Sequence, residues 1–441
     1  MHRRKLLIPI ESQVREYDAK LLFACAAAEA GFEAIIGSRA HIHHFASRVR
    51  DGIYVAKSMR QISKRMFNII SQLGHKIVAW DEESLVRMPD SEYYKNRLSP
   101  DTFKHIEHLF AWGENDAEVF RLYPYYNNQP IHAFGNPRVD ILRPELQDYF
   151  LPQVKKIQNV YKDFILINTN FNVVNHFLPN QYKNSIKDSF IQKRLEYKSK
   201  LLDEFIEAIT MLSHLFTNYN FVVRPHPSEN INFWKTNVGN LNNVHITNEG
   251  NVINWIIASN GLISNGCTTS IESTILQKPT IGYYPIKDIN IDGPLPKSVC
   301  DIATNKSQLA DYIKEIISGN YETTSASLNL LKPHIANLTG DFSVDKIVNT
   351  LIESYSSEQS ISPQPIQYIK GKIHNESRTI VKKFNALRNN HINSKKFHQY
   401  RFPTLETNDI YEDIKRYDKI LNRFSNISAQ KIDAHIFKVT C

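Results

Sequence analysis

Short apolar runs alternate with segments of helical length along most of this chain, and that alternation restricts its fold more than any other feature. The first forty residues contain the predicted strand KLLIPI, a loop ESQVREYD, a helix AKLLFACAAAEAG that closes on Gly31, and the strand FEAIIG. Further predicted strands are GIYVA (52–56), KIVAWD (76–81), HLFAWG (108–113) and IHAFGN (131–136). Strands that alternate with helices form parallel sheets covered on both faces, so residues 1–150 are predicted to be one open α/β domain.

A second series of the same kind begins at DFILINTN (163–170). It continues with predicted strands NFVVRPHP, NVHIT, GLISNG and PTIGYYP and with predicted helices at 195–217, 250–259, 268–277, 307–318 and 342–356. Residues 144–162 lack clear periodicity and are interpreted as the interdomain connection, so 151–356 is predicted as a second domain. Open parallel sheets bind ligands at the loops after their strands, and functional residues are therefore expected there, in a cleft between the domains.

Basic residues are concentrated near the carboxyl end of the chain. The net charge is +8, and residues 361–402 hold nine Lys and Arg against Glu376 alone. Residues 357–441, which begin with SSEQSISPQPIQ, are predicted as a linker followed by a basic helical tail. The tail favours peripheral contact with phospholipid headgroups or a lipid-linked acceptor, and a solvated helical face explains its charge equally well. Nucleic-acid binding is not expected, because the excess charge is confined to one segment.

Neither a membrane-spanning segment nor a metal site is predicted. No apolar run approaches the ~20 residues that cross a bilayer. The start MHRRKLLIPIESQVRE becomes polar too soon for the apolar stretch of a signal peptide. Together these features predict a cytoplasmic protein. The four cysteines are widely spaced and form no CxxC pair, so neither a disulfide framework nor zinc is indicated. No cofactor is expected.

The segment SNGCTTSIES (264–273) predicts a phosphate site. A strand leads through a glycine turn into a helix that opens with hydroxyl residues, and its candidate ligands are Asn265, Gly266, Thr268, Thr269 and Ser270. Free amide groups and the helix dipole favour phosphate at such a helix start. An alternative that needs no ligand is a capping box between Thr269 and Glu272.

Two other loops after predicted strands of the second domain carry polar side chains. In VVRPHPSEN, two prolines end a strand and present Arg224 and His226, which can neutralise a phosphate leaving group, beside Pro227. His226 taken alone is more often a structural histidine. In NTNFN, Asn168 and Asn170 follow the first strand and are expected to approach the same ligand.

The first domain offers an acidic loop after a strand. KIVAWDEES places Asp81, Glu82 and Glu83 there, and glycosyl transfer needs a carboxylate as base or nucleophile. Three acids at a helix start also suit the helix dipole without any catalytic role.

Weaker candidates for lining the cleft follow two other strands of the first domain. They are Glu11, Arg15 and Asp18 in IESQVREYDAK, and Arg138 and Asp140 in GNPRVD. The turn-forming residues of GNPRVD also have a purely structural explanation.

Over about residues 4–300 these motifs resemble the bacterial surface carbohydrate biosynthesis proteins. Their order along the chain is PIESQVREYDAKLL, DEES, GNPRVD, INTNF, RPHP and SNGCTTSIES. That family is allied to the Kdo transferases of capsule and lipopolysaccharide synthesis. RPHP and GCTTSIE are the most specific parts, and the tail after about 357 has no counterpart.

The resemblance implies a metal-independent GT-B glycosyltransferase with two Rossmann-like domains, the acceptor bound by the first and the donor nucleotide by the second. It implies that His226 and Pro227 contact CMP, that the hydroxyl residues starting the 268–277 helix hold the donor phosphate, and that Glu272 binds ribose. The family's acidic motif is two acids followed by glycine, whereas Ser84 follows Glu83 here, so which acid is catalytic stays open.

The resulting expectation is transfer of an ulosonic acid, of Kdo, pseudaminic or legionaminic type, from a CMP-activated donor to a glycan or lipid-linked glycan acceptor. Related ulosonate transferases include both inverting enzymes with a general base and retaining enzymes with a carboxylate nucleophile, and the resemblance is closest to retaining capsule enzymes. A GT-B transferase that uses a UDP-sugar or CDP-polyol donor is the first alternative. A non-catalytic basic binding protein is the second.

Overall fold

The computed structural model describes residues 4–87, 90–178, 189–288, 291–322, 326–355, 364–388 and 394–441. The chain forms two compact units. Unit 1 comprises Met1–Ser84, Pro89–Tyr149 and Lys332–Cys441, and unit 2 comprises Leu85–Met88 and Phe150–Leu331. Each unit contains a sheet of parallel strands with helices between them, which confirms the predicted α/β class. All but the last four residues of SSEQSISPQPIQ lie outside the described residues.

Most of the strands match the apolar runs of the sequence. The strands in the described residues are β1 (Lys5–Ile10), β2 (Glu33–Ser38), β3 (Gly52–Ala56), β4 (Lys76–Ala79), β5 (Ile106–Ala111), β6 (Ile131–Ala133), β7 (Phe164–Asn168), β8 (Asn220–Arg224), β9 (Val244–Ile246), β10 (Gly261–Ser264), β11 (Thr280–Tyr283), β12 (Asp301–Ala303), β13 (Ser428–Asp433) and β14 (Ile436–Thr440). The strands β1 to β11 match the apolar runs, whereas β12, β13 and β14 were not predicted.

The helices fall between these strands and after them. They are α1 (Gln13–Glu29), α2 (Arg39–Phe45), α3 (Lys64–Gln72), α4 (Asp90–Arg97), α5 (Pro100–Phe103), α6 (Glu114–Arg121), α7 (Pro137–Asp140), α8 (Leu151–Tyr161), α9 (Ser189–Leu215), α10 (Ile231–Val238), α11 (Val252–Ala258), α12 (Thr268–Ile275), α13 (Pro294–Ser298), α14 (Lys306–Ser318), α15 (Ala326–Leu331), α16 (Ser343–Tyr355), α17 (Pro365–Ala386), α18 (Lys395–Arg401) and α19 (Thr407–Leu421). Short 3₁₀ helices occupy Ala46–Arg48, Gln61–Ser63 and Pro144–Phe150.

Unit 1 has an eight-stranded sheet in the order β13-β14-β2-β1-β3-β4-β5-β6. The strands β1 to β6 are parallel, and the apolar residues of β1 are buried because α-helices cover both faces. Helix α1 starts at Gln13, so most of ESQVREYD, predicted as a loop, is helical. An ion pair between Glu16 and Lys20, one turn apart, favours the helix over this stretch.

The carboxyl-terminal segment belongs to unit 1 and is not a separate helical tail, which corrects the predicted boundaries at 356 and 357. Strand β14 pairs antiparallel with β2, and its residues Ile436, Phe437 and Val439 are buried. Helix α16 packs on α1 and α7, and α17 packs on α3. Burial of these apolar faces explains why residues after Leu331 return to the first sheet.

Unit 2 has a six-stranded, wholly parallel sheet in the order β12-β11-β10-β7-β8-β9. The segment 144–162, predicted as an irregular connection, is a 3₁₀ helix followed by α8, and α8 packs on α11. The sheet order brings β10, β7 and β8 side by side at its centre. The loops after these three strands therefore meet at one edge.

Substitution of Gly37 by alanine is predicted to loosen the carboxyl-terminal hairpin. A Cβ on Gly37 would overlap the carbonyl oxygen of His435, which accepts a hydrogen bond from the Ser38 amide at 3.0 Å. The clash should lower the free energy of unfolding by about 1–3 kcal/mol.

Thermal unfolding and limited proteolysis of the carboxyl-terminal hairpin provide the measurement. The control is Gly293→Ala, where the nearest atom is 3.5 Å from an added Cβ and a change within about 0.5 kcal/mol is expected. Equal melting temperatures for the two variants would contradict the prediction.

Candidate functional site

The predicted ligands of unit 2 lie together where three central strands end. Asn168 is the last residue of β7, His226 follows β8, and the turn 265–267 joins β10 to the start of α12. We call the group formed by Asn168, Lys198, His226, Gly266, Thr268 and Thr269 the strand-end site.

Helix α12 starts without a side-chain cap. Its N-cap is Cys267, which makes no side-chain capping hydrogen bond within the described residues. Thr269 is thus the second helical residue, and the capping box considered for Thr269 and Glu272 is not formed. Gly266 has φ +59° and donates its amide to the Tyr284 hydroxyl at 3.0 Å, which orients the turn before the helix.

Two buried side-chain oxygens of the strand-end site have no hydrogen-bond partner among the described residues. They are Thr269 Oγ1, in the first turn of α12, and Asn168 Oδ1, at the end of β7, which pairs with β10. Leaving a buried polar atom unsatisfied costs about 1–3 kcal/mol, so such atoms are rare in folded proteins. Both atoms lie in the strand-end site, where they are available to accept or donate a hydrogen bond.

Other hydroxyl and amide groups of the motif serve the fold itself. The hydroxyl of Ser270 is bonded to that of Ser264, and Asn265 donates to the Tyr283 carbonyl at 2.9 Å. Thr268 begins α12 and is partly exposed, and Glu272 is buried one turn further along the helix. The sequence motif therefore mixes ligand-facing and structural residues.

The loop after β8 fixes the tautomer of His226. Its Nδ1 accepts a hydrogen bond from the Ser228 amide at 3.1 Å, so the ring proton of the neutral form is on Nε2. Arg224 is buried, donates to the Gly250 carbonyl and lies over the Trp255 ring. Pro227 and Asn170 are partly exposed in their loops.

Glu229 joins two of these loops and was not identified from the sequence. Its buried carboxylate accepts hydrogen bonds from the Thr169 hydroxyl (2.8 Å), the Phe171 and His226 amides (both 3.0 Å) and the Trp234 indole (3.0 Å). Burial raises the pKa of Glu229 above its usual value. The carboxylate therefore holds the loops after β7 and β8 in register with each other.

A buried lysine, Lys198, also escaped the sequence analysis. It projects from α9 and donates to Asn265 Oδ1 at 3.1 Å, with its ammonium 5.7 Å from the Phe171 ring centroid. Burial, assisted by Arg194, lowers the pKa of Lys198 to about 8. A desolvated cation beside a helix start increases the attraction for phosphate. The regular apolar pattern of the surrounding helix does not distinguish Lys198 from its neighbours. Its partner Asn265 is far away in the sequence, so the contact could not be predicted.

The three consecutive acids of unit 1 have different environments. Asp81 is completely buried and accepts hydrogen bonds from Arg97 and, at 2.9 Å, from the Tyr93 hydroxyl. The side chain of Glu82 is buried, and its Oε1 accepts from the Trp80 indole at 2.8 Å. Glu83 is 38% exposed in its side chain and pairs with Arg15 at 2.7 Å.

Glu83 stays ionised at neutral pH. Burial alone would raise its pKa, but the Arg15 guanidinium outweighs that effect and holds the pKa at about 2. Of the three acids, Glu83 is the one that a substrate in solvent can reach.

A buried ion-pair network lies where β1, β3 and β4 end. Glu16 contacts Lys20 at 2.7 Å and also Lys57, Lys57 contacts Glu11 at 3.0 Å, and Lys20 lies 3.5 Å from Glu82. Sequence analysis identified Glu11 and Glu82 but missed Glu16, Lys20 and Lys57. The i, i+4 spacing of Glu16 and Lys20, and a lysine directly after β3, are the signals that were available.

The remaining predicted residues of unit 1 divide between this network and the fold. Arg138 donates to the Glu82 carbonyl at 3.2 Å and so joins the network. Asp18, which lies in α1, instead accepts a hydrogen bond from the Tyr149 hydroxyl at 2.9 Å. Asp140 is completely buried and accepts the Ser343 and Val344 amides at 2.9 Å, so it caps α16.

In the described part of the chain, no group of three or more His, Cys, Asp or Glu side chains is arranged to hold a metal ion. No described helix is both long enough and apolar enough to cross a membrane.

The fold is shared with several proteins of known structure. The Methanocaldococcus jannaschii UDP-GlcNAc 2-epimerase in complex with UDP-GlcNAc and UDP is 14% identical, covers 79% of this chain and 99% of its own, and has a TM-score of 0.50. The wall teichoic acid polymerase TagF, in a variant soaked with CDPG, is 12% identical over 80% and 90% of the two chains with a TM-score of 0.51. S. aureus MnaA, determined with UDP, is 12% identical over 82% and 100% with a TM-score of 0.50.

These likenesses show that the fold is GT-B, with two Rossmann-like units. No family model matches the chain, and no curated protein matches it.

Asp81 and Glu83 are predicted to respond differently to loss of charge. Asp81→Asn weakens the contacts of the buried Asp81 carboxylate with Arg97 and Tyr93 and should cost about 1–3 kcal/mol of unfolding free energy. Glu83→Gln removes a partly exposed ion pair and should cost about 0–1 kcal/mol. Urea unfolding of the two variants compares them directly, and a larger loss for Glu83→Gln would contradict the assignment of Asp81 as the structural acid.

Proposed function

We propose that this protein is a glycosyltransferase of surface polysaccharide synthesis that takes its donor as a nucleotide-activated sugar or polyol. The strand-end site of unit 2 binds the donor phosphate, and the acidic loop of unit 1 serves a glycan or lipid-linked glycan acceptor. The observation that carries this proposal is the helix start of α12, which has no side-chain cap and has an unsatisfied Thr269 hydroxyl beside it.

The chemistry of the strand-end site suits a phosphate leaving group. Amide groups at the start of α12 and the Thr269 hydroxyl donate hydrogen bonds to phosphate oxygens. Lys198 supplies positive charge, and His226 supplies the Nε2 proton of its neutral form. Together they stabilise the negative charge that develops as the bond between the transferred group and the phosphate breaks.

A nucleoside diphosphate donor, a UDP-sugar or CDP-polyol, is the candidate that we favour. The proteins of shared fold were determined with UDP-GlcNAc, UDP or CDPG. Lys198 and the α12 start offer two separate centres of positive potential, which suits two phosphates. A CMP-activated ulosonic acid is the second candidate, because the segments RPHP and GCTTSIE resemble those of Kdo transferases.

Glu83 is the proposed catalytic carboxylate for a sugar donor. With a pKa of about 2 it is a poor proton acceptor at neutral pH and is better suited to attack the anomeric carbon. In that step the carboxylate oxygen bonds to the anomeric carbon while the carbon–oxygen bond to phosphate breaks and its electron pair leaves with the nucleotide. The acceptor hydroxyl then displaces Glu83 and loses its proton to solvent, which gives net retention.

Thr269→Val is predicted to weaken nucleotide binding without destabilising the protein. The lost hydroxyl has no partner within the described residues, whereas a hydrogen bond to a charged phosphate contributes about 1.5–3 kcal/mol, or roughly 10–100-fold in Kd. The matched control is Thr274→Val on the same helix. Its hydroxyl is bonded to the Ser270 and Val299 carbonyls at 2.9 Å, so stability should fall and affinity should stay constant.

Calorimetric titration with UDP, CDP, GDP and CMP measures these affinities and tests the donor class. Preferential binding of UDP or CDP, weakened by Thr269→Val, supports the favoured donors. Preferential binding of CMP that is lost in His226→Ala would replace them with the ulosonate donor. Absence of binding by all four nucleotides would overturn the proposed function and favour a non-catalytic basic binding protein.

Binding of a nucleoside diphosphate is predicted to take up about half a proton at pH 8. The pKa of Lys198 is about 8 in the free protein, and a bound phosphate raises it by favouring the ammonium form. Affinity is then greatest below pH 8 and falls above it, by up to about tenfold per pH unit, until the raised pKa is passed.

Calorimetry at pH 8 in buffers of different ionisation enthalpy measures this proton uptake. Lys198→Met should abolish it, and Lys200→Met, which alters an exposed lysine of the same helix, should preserve it. Uptake that persists in Lys198→Met would show that another group titrates.

A further inference from the structure

Helix α17 packs on unit 1 through one face. Gly371 lies against Gln72 and Leu73 of the α3 region, where an added Cβ would approach backbone and side-chain atoms at 3.0 Å. Asn375 is completely buried and donates to the His44 carbonyl at 3.1 Å. These contacts fix which side of the helix faces away from the unit.

The opposite face of α17 carries an exposed apolar stripe. Its members are 52–79% exposed, although large apolar side chains are usually buried. The stripe consists of Ile366, Ile369, Ile373, Ile380, Val381, Phe384 and Leu387. Seven of the sixteen exposed large apolar side chains of the described residues thus lie within 22 positions, which marks this face as an interaction surface.

The spacing of the stripe is helical. Six of its members lie three or four residues apart, except for one gap of seven residues, which is two helical turns. They are Ile366, Ile369, Ile373, Ile380, Phe384 and Leu387. At 3.6 residues per turn they project from one side, roughly opposite Gly371 and Asn375. Burial in unit 1 therefore cannot account for their apolar character.

Basic residues flank the stripe. Lys370, Lys372, Lys383 and Arg388 are exposed, and Glu376 is the one acid between 364 and 388. An apolar face bordered by Lys and Arg is typical of helices that lie in the interface of an anionic membrane.

We propose that α17 is an interfacial membrane helix that docks unit 1 on a bilayer containing anionic phospholipid. The stripe enters the boundary between headgroups and acyl chains, and the flanking Lys and Arg contact lipid phosphates. Charge complementarity favours lipid over a second copy of the chain, because pairing two such faces would bring basic flanks together. The proposal goes beyond transferase activity and does not depend on it.

The same helix places two cations near the ion-pair network of unit 1. Arg378 lies 3.3 Å from His43 of α2, and Lys382 follows it by one turn. Burial, with Arg378 and Arg39 nearby, lowers the pKa of Lys382 to about 7. A membrane-bound α17 thus holds basic groups beside the ion-pair network of unit 1.

The test is co-sedimentation of the full chain with vesicles of phosphatidylcholine alone and of phosphatidylcholine with phosphatidylglycerol. We expect binding to the anionic vesicles that weakens as salt increases. The triple variant Ile373→Ser, Ile380→Ser, Phe384→Ser should lower vesicle affinity at least about tenfold. The control variant Ile62→Ser, Leu122→Ser, Tyr125→Ser alters exposed residues elsewhere on unit 1 and should bind vesicles as the wild type does.

Unchanged melting temperature and far-ultraviolet circular dichroism in both variants establish that they fold. Three results would overturn the proposal: no binding of the wild type to anionic vesicles, equal binding by the stripe variant, or a wild-type dimer in sedimentation velocity that the stripe variant abolishes. The last result would assign the stripe to self-association.

Discussion

Pairing of β14 with β2 determines where the carboxyl-terminal segment of the chain lies. The ladder aligns Phe437 with Ile36 and Val439 with Ala34, and the absence of a side chain at Gly37 lets the turn before β14 approach β2 closely. Because β14 is fixed beside β2 in the sheet, the preceding helices have to cover unit 1. The docked position of α17, and with it the exposure of its apolar stripe, follows from that constraint.

The carboxyl-terminal segment also completes the electrostatics of unit 1. Arg401 of α18 contacts Glu11, which additionally pairs with Arg39 at 3.1 Å and Lys57 at 3.0 Å. Burial alone would raise the pKa of Glu11, but these cations reverse the effect and hold it well below its usual range. Buried charges are tolerated only when they are paired, so the network and the position of α18 depend on each other. Glu83 lies at the margin of this network, and its exposure separates it from the acids that maintain the fold.

The parts of the fold that the sequence predicted are those specified by local pattern. Buried parallel strands such as KLLIPI and FILIN read as continuous apolar runs, and the loops that follow them are located once the strands are known. The return of β14 to β2 was missed because antiparallel pairing of residues far apart in sequence leaves no local signal. Lys198 and Glu229 were missed for the same reason, since their partners Asn265 and Thr169 are brought to them by the sheet. Asp18 and Asp140 were grouped with cleft residues by position alone, whereas their carboxylates bond to the Tyr149 hydroxyl and to the amides at the start of α16, because the sequence does not show which way a side chain near a strand end points.

Helix α12 shows how the fold separates structural from ligand-facing hydroxyls within one motif. Ser270 and Thr274 are satisfied by Ser264 and by backbone carbonyls, and they hold the helix against its neighbours. Thr269, directly before Ser270, is also buried, yet its hydroxyl finds no partner in the described chain. Valine would fill the same space without the cost of an unsatisfied hydroxyl, and the desolvated ammonium of Lys198 adds a second cost nearby. These two unfavourable groups at one helix start support the proposed phosphate site, because phosphate provides an acceptor for the hydroxyl and a counter-charge for the amine at the same time.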